Sequence, residues 1–514
     1  MNVPHPFSAL VISAAPEVIL ILASVIIFSI RSSRRLDDIS PLGSFSHLLA
    51  VSACLLSIIP AGFYYFILTQ VKGGRWIEHS GFRIDGTILP IKITLLLLAV
   101  LALILSREEK ALPRPVSAPG HDYGLAGSPG FLLLSTAALM IFCSSATLGV
   151  AFLGLEFLGL AWGLSWIYRQ KAPRVRPAAP GFFIPWALSS SLLLLGYSFL
   201  YSASGSSLLR QTTPLLFRLQ KYPLWVLAFA MLFIGLVFKF GYLPLRLSKP
   251  KLGNRYSPSI LAFHAAVILW VSFWILGLFL TTGSSILPGA RAPLAAPLGW
   301  KIFIALFSAS LMIWGSFAAL FQRSLCRMIL YLALVQTGFL AMTLSFTDYQ
   351  ILPFLTCSGL FHTLSLLGIC GFSSILIRAT GSDRIESLRS LGRSQPLLGA
   401  CMVVFLLSWV GLPPLAGFWS KLGAFTLLFK LRDSHLFLPL FLSAVALWAM
   451  LLSLWPIYKV LKNLYHSPNH SGLDDFQPLP LKPQATTRGV LLLLALVLLA
   501  AGLGRSHCTN LFFP

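Results

Sequence analysis

Residues 407–425 read LSWVGLPPLAGFWSKLGAF, and this stretch decides the fold. It lies in an apolar run from 397 to 429 that is interrupted by two glycines and two prolines, at Gly411, Pro413, Pro414 and Gly417. Such residues break a membrane-spanning helix, and the backbone groups that the break frees are tolerated only inside protein or beside a water-filled cavity. Lys421 follows the interruption in the same run. A broken transmembrane helix with a buried lysine is typical of an ion pathway.

Similar apolar stretches recur along the whole chain. Of the 514 residues, 57% are hydrophobic and only 10% are charged, which excludes a soluble globular protein. A helix needs about 20 residues to cross roughly 30 Å of hydrocarbon, and about fourteen stretches of that length are present. They are predicted at 9–30, 45–70, 87–106, 129–148, 150–168, 184–204, 224–245, 258–281, 299–320, 328–346, 350–377, 397–429, 436–458 and 489–504. The sequence therefore predicts an all-α polytopic membrane protein.

The basic residues are distributed unevenly between the loops. The net charge is +23, but no run of lysines and arginines is interleaved with aromatic residues, which argues against nucleic-acid binding. Of the 38 basic residues, twenty-four fall in loops after odd-numbered spans and eleven in the other loops or the C-terminal segment. The positive-inside rule then places the odd loops in the matrix or cytoplasm and both termini on the opposite side.

Four charged residues are candidates for function because apolar sequence surrounds them: Lys92, Glu156, Lys239 and Lys421. A charge at the bilayer centre costs roughly 2.5 to 3.5 kcal/mol, so such residues usually line polar pathways or proton relays. Glu156 has no opposite charge within one turn, so its partner must lie on another helix. Two alternatives without a role in proton transfer stay open. Glu156 could be a protonated, hydrogen-bonded acid, and each lysine could extend to the membrane interface, above all Lys92, which is close to Asp85.

Two histidines also lie in apolar helices, His264 in SILAFHAAVILW and His362 in GLFHTLSLLG. Histidine titrates near neutral pH, so either could pass a proton, although a lone histidine on an apolar face is more often a satisfied core residue. A second helix break is predicted beside Lys239, where Gly241 and Pro244 follow in GLVFKFGYLPL. A carboxylate that approaches a buried lysine favours the charged lysine, so changing their separation would load or unload a proton.

The chain resembles, over nearly its full length, the subunit 2 family of respiratory complex I, the proton-pumping NADH:ubiquinone oxidoreductase. The matching strings include AAPEVILILAS, FLGLEFLGLAW, GLVFKFGYLP, SPSILAF, GSFAALFQRSLCRMILYLALVQTGF and LSWVGLPPLAGFWSKLGAF. GLPPLAGFWSK is the most specific of them, because it is rarely met outside this family and the related multi-subunit cation/proton antiporters.

The resemblance implies two inverted five-helix repeats, each with a broken helix, and a central file of charged residues and water in the membrane plane. Inverted repeats leave almost no direct sequence similarity, so these divisions come from the resemblance alone. They are an N-terminal three-helix segment at 1–128, a first repeat with helices 4–8 at 129–281, a second repeat with helices 9–13 at 282–462, and a C-terminal loop and last helix at 463–514.

Within that framework, proton translocation is assigned to five residues, Glu156, Lys239, His264, His362 and Lys421. Glu156 is implied to partner Lys239 in the first repeat, and Lys421 to be the corresponding lysine of the second. Most members of the family carry another lysine in the eighth span, where this chain has Leu269. One of the histidines, or ordered water, is therefore expected to bridge the two lysines.

The function implied is that of a proton-translocating, antiporter-like core subunit in the membrane arm of complex I, coupling NADH:ubiquinone electron transfer to proton pumping. The chain has no GxGxxG, P-loop, HExxH or CxxC motif, so it is expected to hold no cofactor or metal and to belong to an enzyme without doing redox chemistry itself. FMN, iron–sulfur clusters and ubiquinone are expected in partner subunits. The alternatives are a subunit of a multi-subunit cation/proton antiporter and a mainly structural membrane-arm subunit.

The expected partners are other membrane-arm subunits, including neighbouring antiporter-like subunits, together with lipids and protons but no nucleic acid. The first residues, MNVPHPFSAL, lack the arginine-rich amphipathic character of a transit peptide, which favours an organelle-encoded or bacterial product. A multi-pass protein of the mitochondrial inner membrane is expected, with the bacterial plasma membrane or the thylakoid as alternatives.

Overall fold

The structure is a computed structural model of the chain. The residues that it describes are 6–33, 39–70, 77–79, 81–84, 88–107, 128–168, 180–208, helical positions within 227–239 and 259–277, 298–345, 351–380, 382–389, 391–430, 437–466 and 485–504. They group into two compact units, Met1–Leu103 with Arg114–Tyr242 and Ile104–Pro113 with Leu243–Pro514. In its described part, each unit consists mainly of α-helices.

Among the described residues up to 204, the chain forms six helices and one β-hairpin. The helices are α1 (Pro6–Ser33), α2 (Ile39–Gln70), α3 (Ile88–Ser106), α4 (Ser128–Cys143), α5 (Leu148–Tyr168) and α6 (Pro180–Ser204). Between α2 and α3, strands β1 (Ile77–His79) and β2 (Phe82–Ile84) pair antiparallel. The hairpin is attached to the end of α4, because Arg83 N–H donates to Ser144 O and Ala146 N–H donates to Gly81 O.

Close helix contacts hold the first unit together. Helices α1, α2 and α4 pack against one another, α4 packs on α5, and α5 packs on α6. The helical segment within 227–239 lies against α6, where a Cβ on Gly235 would be only 2.8 Å from Leu193 Cγ. Ser189 Oγ donates to Gly235 O at 2.7 Å. Small residues allow such close approach in membrane proteins, and here they fix the segment that carries Lys239 against α6.

In the second unit, one long helix packs against four others. Besides the helical positions within 259–277, the described helices of this unit are α7 (Leu298–Leu320), α8 (Leu325–Thr343), α9 (Ile351–Thr380), a 3-10 helix (Ile385–Leu388), α10 (Leu391–Ser394), α11 (Pro396–Val410), α12 (Ala416–Lys430), α13 (Phe437–Tyr465) and α14 (Ala485–Leu503). Helix α9 packs against α8, α11, α12 and α14, and most of it is buried. Helices α13 and α14 expose apolar side chains such as Leu451 and Leu496. Such side chains suit contact with lipid.

The interruption predicted from the glycines and prolines is present. Helix α11 begins with Pro396 and ends at Val410, and it is capped by Gly411, whose φ of +86° is left-handed and favours glycine. The N–H groups of Gly411 and Leu412 both donate to Leu407 O and close the helix. Helix α12 then begins at Ala416. The single apolar run of the sequence is therefore two helices that meet end to side.

The predicted helical, polytopic membrane fold is confirmed. Among the described residues, nine helices are long and apolar enough to cross a bilayer, and three shorter apolar helices accompany them. Each predicted span contains helical residues where the structure describes it, although boundaries shift. Helix α4 ends at Cys143, earlier than predicted, because backbone groups of residues 144–146 bond to the β-hairpin. The inverted repeats and their boundaries stay a prediction.

Candidate functional site

Glu156 and Lys239 form an ion pair between two helices of the first unit. Glu156 lies midway along α5, and its Oε1 accepts a hydrogen bond from Lys239 Nζ. The lysine side chain is fully buried, whereas that of the glutamate is 25% exposed. One charge is therefore enclosed by protein, and the other reaches the surface of this chain.

Two residues of α6 each contact both members of the pair. Ser190 Oγ lies 2.7 Å from Glu156 Oε1, and Trp186 Nε1 donates to Oε2 at 3.1 Å. Lys239 Nζ donates to Ser190 Oγ at 2.9 Å and lies 4.4 Å from the centre of the Trp186 ring. Hydrogen bonds and a cation–π contact from one helix thus position both charges.

The Trp186 ring reaches the carboxylate because α5 carries a glycine at Gly159. This glycine is three residues beyond Glu156, so the two share a face of α5. A Cβ on Gly159 would lie 2.0 Å from Trp186 Cε2, a distance that no packed structure tolerates. The indole therefore lies directly on the backbone of α5.

Replacing Trp186 with phenylalanine should keep an aromatic ring on α5 but remove the Nε1–H donor. A hydrogen bond to a charged group contributes about 1.5–3 kcal/mol, so we expect the thermal unfolding transition of the purified protein to fall by a few degrees. The matched control is Trp455→Phe, because that tryptophan is 59% exposed on α13. Equal melting temperatures for both variants would show that the bond to Glu156 adds nothing.

Lys421, on α12, is directed at the broken end of α11. Its Nζ donates to Val410 O at 2.5 Å and to Trp409 O at 3.1 Å. The last carbonyls of a helix lack intrahelical donors, and partial negative charge at that end stabilises a cation. The ammonium also lies 5.1 Å from the centre of the Phe339 ring. Lys421 therefore caps α11 inside the protein and does not extend to the membrane interface.

A cavity of about 30 Å³ lies beside this ammonium group. Its lining includes Gln336, Ser358, His362, Ser408 and Lys421. Gln336 Nε2 donates to Trp409 O at 2.6 Å, so α8 also holds the carbonyl that Lys421 contacts. A water molecule needs about 10–15 Å³ of cavity volume, so the cavity has room for roughly two or three water molecules.

His362 belongs to the same site. Its ring packs on Trp409 with 4.3 Å between the ring centres, and the side chain is buried. Within the described part of the chain, His362 Nε2 and Ser358 Oγ have no hydrogen-bond partner. Both residues line the cavity, so a small polar molecule there would find several donors and acceptors. The structure thus brings His362 and Lys421 together.

The remaining candidates lie elsewhere. His264 is buried in the second unit with its ring 5.7 Å from that of Phe263. The predicted break at Gly241 and Pro244, and the position of Leu269, lie outside the described residues.

Lys92 is bonded to a residue that the sequence analysis did not single out. Its Nζ lies 2.6 Å from Glu17 Oε1, and the two side chains are 2% and 7% exposed. Lys92 therefore does not reach the membrane interface. The signal for Glu17 was available, since it is an acidic residue in the apolar span at 9–30, just as Glu156 is in its own span.

The chemistry that these sites offer is proton binding. Carboxylate, ammonium, imidazole and hydroxyl groups donate and accept protons or hydrogen bonds. Among the described residues, no group of three or more His, Cys, Asp or Glu side chains is arranged to hold a metal ion. The arrangement therefore suits proton exchange at paired charges and at a small polar cavity.

Comparisons with known proteins agree in family and in fold. Residues 145–447 match the family model "NADH:quinone oxidoreductase/Mrp antiporter, TM", a segment that includes all five predicted site residues. NADH-quinone oxidoreductase subunit N 2 of Acidobacterium capsulatum is 30% identical over 373 residues, which cover 72% of this chain and 73% of that protein.

Two solved structures extend the likeness to nearly the whole chain. One chain of respiratory complex I from Thermus thermophilus aligns with a TM-score of 0.64 and 20% identity over 96% of this chain and 97% of that one. One chain of the Mrp complex from Dietzia aligns with a TM-score of 0.68 and 15% identity over 98% of both chains. At these identities the structural likeness shows the fold alone.

Proposed function

The chain belongs to the NADH:quinone oxidoreductase/Mrp antiporter transmembrane family, and we propose that it is an antiporter-like, proton-translocating subunit in the membrane arm of an NADH:quinone oxidoreductase. It is then a multi-pass membrane component of an enzyme complex and lies beside other membrane-arm subunits. Electron transfer from NADH takes place in partner subunits and reaches this chain as a conformational or electrostatic signal.

The observation that carries this proposal is the ion pair of Glu156 with the buried Lys239. Moving one charge across 100 mV takes about 2.3 kcal/mol, and one pKa unit corresponds to about 1.36 kcal/mol. A change in the separation of the pair that alters the pKa of the lysine by a few units is therefore enough to work against a membrane potential. We assign Glu156 the role of modulating the proton affinity of Lys239.

Lys421 is proposed as the second titrating lysine. Its ammonium lies between the carbonyls that end α11 and a cavity with room for water, so it has both a site that favours its charge and a neighbour that can take its proton. His362, on the wall of the same cavity, is proposed to relay that proton. His264 is proposed as the other relay between the lysines, on the strength of its burial alone.

Several finer expectations remain part of the proposal. The segments 129–281 and 282–462 are proposed as the two inverted repeats. In that division Lys239 is the lysine of the first repeat, and Lys421 is the corresponding lysine of the second. FMN, iron–sulfur clusters and quinone are assigned to partner subunits, and the absence of nucleotide and cluster motifs supports a chain without a cofactor of its own. The relative named above is bacterial, which supports the plasma membrane of a bacterium, while the mitochondrial inner membrane stays a prediction.

A second candidate function is that of a cation/proton antiporter subunit that works without a redox partner. The likeness to a chain of an Mrp complex favours it, because that fold covers 98% of this chain. The two functions differ in what drives the protons. The first needs NADH and companion redox subunits, and the second needs only a cation gradient.

The test is to purify the complex that contains the full chain and to identify its subunits by mass spectrometry. We expect flavin and iron–sulfur subunits to be present, and vesicles that contain the complex to pump protons when NADH and a quinone are added. The same vesicles, given a sodium gradient without NADH, should move no protons. A complex without redox subunits that exchanges sodium for protons would replace the proposal by the antiporter.

A further inference from the structure

The buried pair Glu17–Lys92 has no part in the function proposed above. Glu17 lies on α1 and Lys92 on α3, and 75 residues separate them in sequence. Both side chains are more than nine-tenths buried. The arrangement repeats that of Glu156 and Lys239, in which a carboxylate on one membrane helix bonds to a lysine on another.

The two oxygens of the Glu17 carboxylate are not equivalent. Oε1 accepts the hydrogen bond from Lys92 Nζ at 2.6 Å. Oε2 is buried and has no donor among the described residues. An ionised carboxylate oxygen in apolar surroundings needs a donor, so Oε2 is an acceptor position that the described residues leave unfilled. Oε2 is therefore the atom to which a proton would add while Lys92 keeps its bond to Oε1.

Neighbouring helices bring few polar groups to the pair. On α2, Ser57 Oγ lies 3.3 Å from Pro16 O, one residue before Glu17. On α4, the Cys143 thiol is buried within electrostatic reach of both charges. At this level the described parts of α2 and α4 supply a hydroxyl and a thiol, and the β-hairpin, which is hydrogen-bonded to Ser144, brings Arg83 to the same end of α4.

The same stretch of α4 also contacts the helix of Glu156. Phe142 is adjacent to Cys143, and a Cβ on Gly154 of α5 would lie 3.0 Å from the Phe142 Cα. Glu156 follows Gly154 by two residues. The same turn of α4 therefore contacts α5 two residues before Glu156 and carries the thiol within electrostatic reach of Glu17 and Lys92.

We propose that Glu17 and Lys92 form an additional proton-binding pair of this chain, which acts together with Glu156 and Lys239. In the unloaded state Glu17 is a carboxylate and Lys92 an ammonium group. In the loaded state one proton taken from water is bound to Glu17 Oε2, and the same proton returns to water on release. The pair thus gains and loses one positive charge, to which Glu156 responds. This inference rests on the proposed function.

The competing explanation is that the pair only fastens α1 to α3. The two explanations differ for a variant that lacks both charges. Buried ion pairs replaced together by uncharged residues often leave stability unchanged, whereas removing one partner strands the other. Glu17→Gln with Lys92→Met should therefore fold even where each single change disturbs assembly, but it has no group that binds a proton.

The experiment compares complexes that contain the wild-type chain, the double variant E17Q/K92M, Ser57→Ala and Glu156→Gln in vesicles. Protons pumped per NADH oxidised are measured, with the NADH oxidation rate measured separately in uncoupled vesicles. We expect the double variant to assemble and to oxidise NADH normally. The number of protons that it pumps per NADH should fall to about half of the wild-type number or below. Ser57→Ala, which removes a neighbouring hydroxyl but no titratable group, should pump as the wild type does.

Each outcome decides the matter. Normal pumping by the double variant, or failure of the double variant to assemble, would overturn the inference and leave the pair as a structural link. If Glu156→Gln lowers pumping in the same preparation while the double variant does not, the proposed function stands and only this inference falls. If neither change affects pumping, both fall.

Discussion

Replacing Lys239 with methionine is expected to lower NADH-driven proton pumping by about tenfold or more, because a positioned proton-transfer group typically contributes at least that factor. Methionine fills a similar volume but binds no proton. The chain should still assemble, because Glu156 keeps the Ser190 hydroxyl and the Trp186 indole as neighbours and is 25% exposed, so its charge is not stranded. Glu156→Gln should reduce pumping in the same direction.

The measurement is proton uptake per NADH oxidised in vesicles that contain the purified complex. Lys459→Met is the matched control, since it makes the same replacement at an exposed lysine of α13. Normal pumping in both Lys239→Met and Glu156→Gln would remove the pair from the mechanism. If alanine at Lys239 or Lys421 instead abolished assembly, the role of this chain in the membrane arm would be mainly structural.

Much of this site was predictable from sequence. A lone carboxylate in an apolar helix must find a partner on another helix, and the family resemblance identified that partner as Lys239. The structure shows the contact. Its role in proton transfer remains a proposal. The sequence did not point to Ser190 or Trp186, because serines in a run and tryptophans in a membrane helix are common, and only packing on Gly159 selects this tryptophan.

The pair of Glu17 and Lys92 shows why partners are harder to predict than candidates. Lys92 was recognised as buried charge, with extension to the membrane interface as the alternative, and the structure excludes that alternative because the side chain is 2% exposed. Glu17 and Lys92 are not on consecutive helices, because α2 lies between α1 and α3 along the chain. Helical periodicity tells which face a residue occupies but not which helices face each other, so the pairing needed the three-dimensional fold.

The position of the helix break was the most predictable feature of this region. The group that binds the carbonyls freed by the break was the least predictable. Glycines and prolines indicated where the run must break, and α11 ends directly before Gly411 as that pattern predicts. That the freed carbonyls of Trp409 and Val410 hold the ammonium of Lys421 depends on how α12 folds back, which no spacing in the sequence specifies. The cavity beside it depends on four helices at once.

Among substitutions that add a single methyl group in this region, Gly417→Ala should lower the stability of the chain the most. A Cβ at this position would lie 1.8 Å from Ser408 O and 2.8 Å from Ser408 C, both backbone atoms of α11. Backbone cannot rotate aside as a side chain can, so the first turn of α12 must move away. Lys421 lies four residues further on the same face of α12 and moves with it, away from Trp409 O and Val410 O. Overpacking of this kind costs about 1–3 kcal/mol or more.

The expected result is therefore a loss of both thermal stability and NADH-driven pumping. Lys421→Met should also lose pumping, but its melting temperature should fall less, because it removes the donor to Trp409 O and Val410 O without forcing α12 away from α11. Gly489→Ala on α14 is the matched control, because nothing lies within 4 Å of a Cβ there and alanine favours a helix over glycine. Melting temperature and proton uptake are measured for the three variants in the same complex. A Gly417→Ala complex that melts and pumps as the wild type does would mean that α12 does not need to lie against the end of α11, and Lys421 would then have no fixed place at those carbonyls.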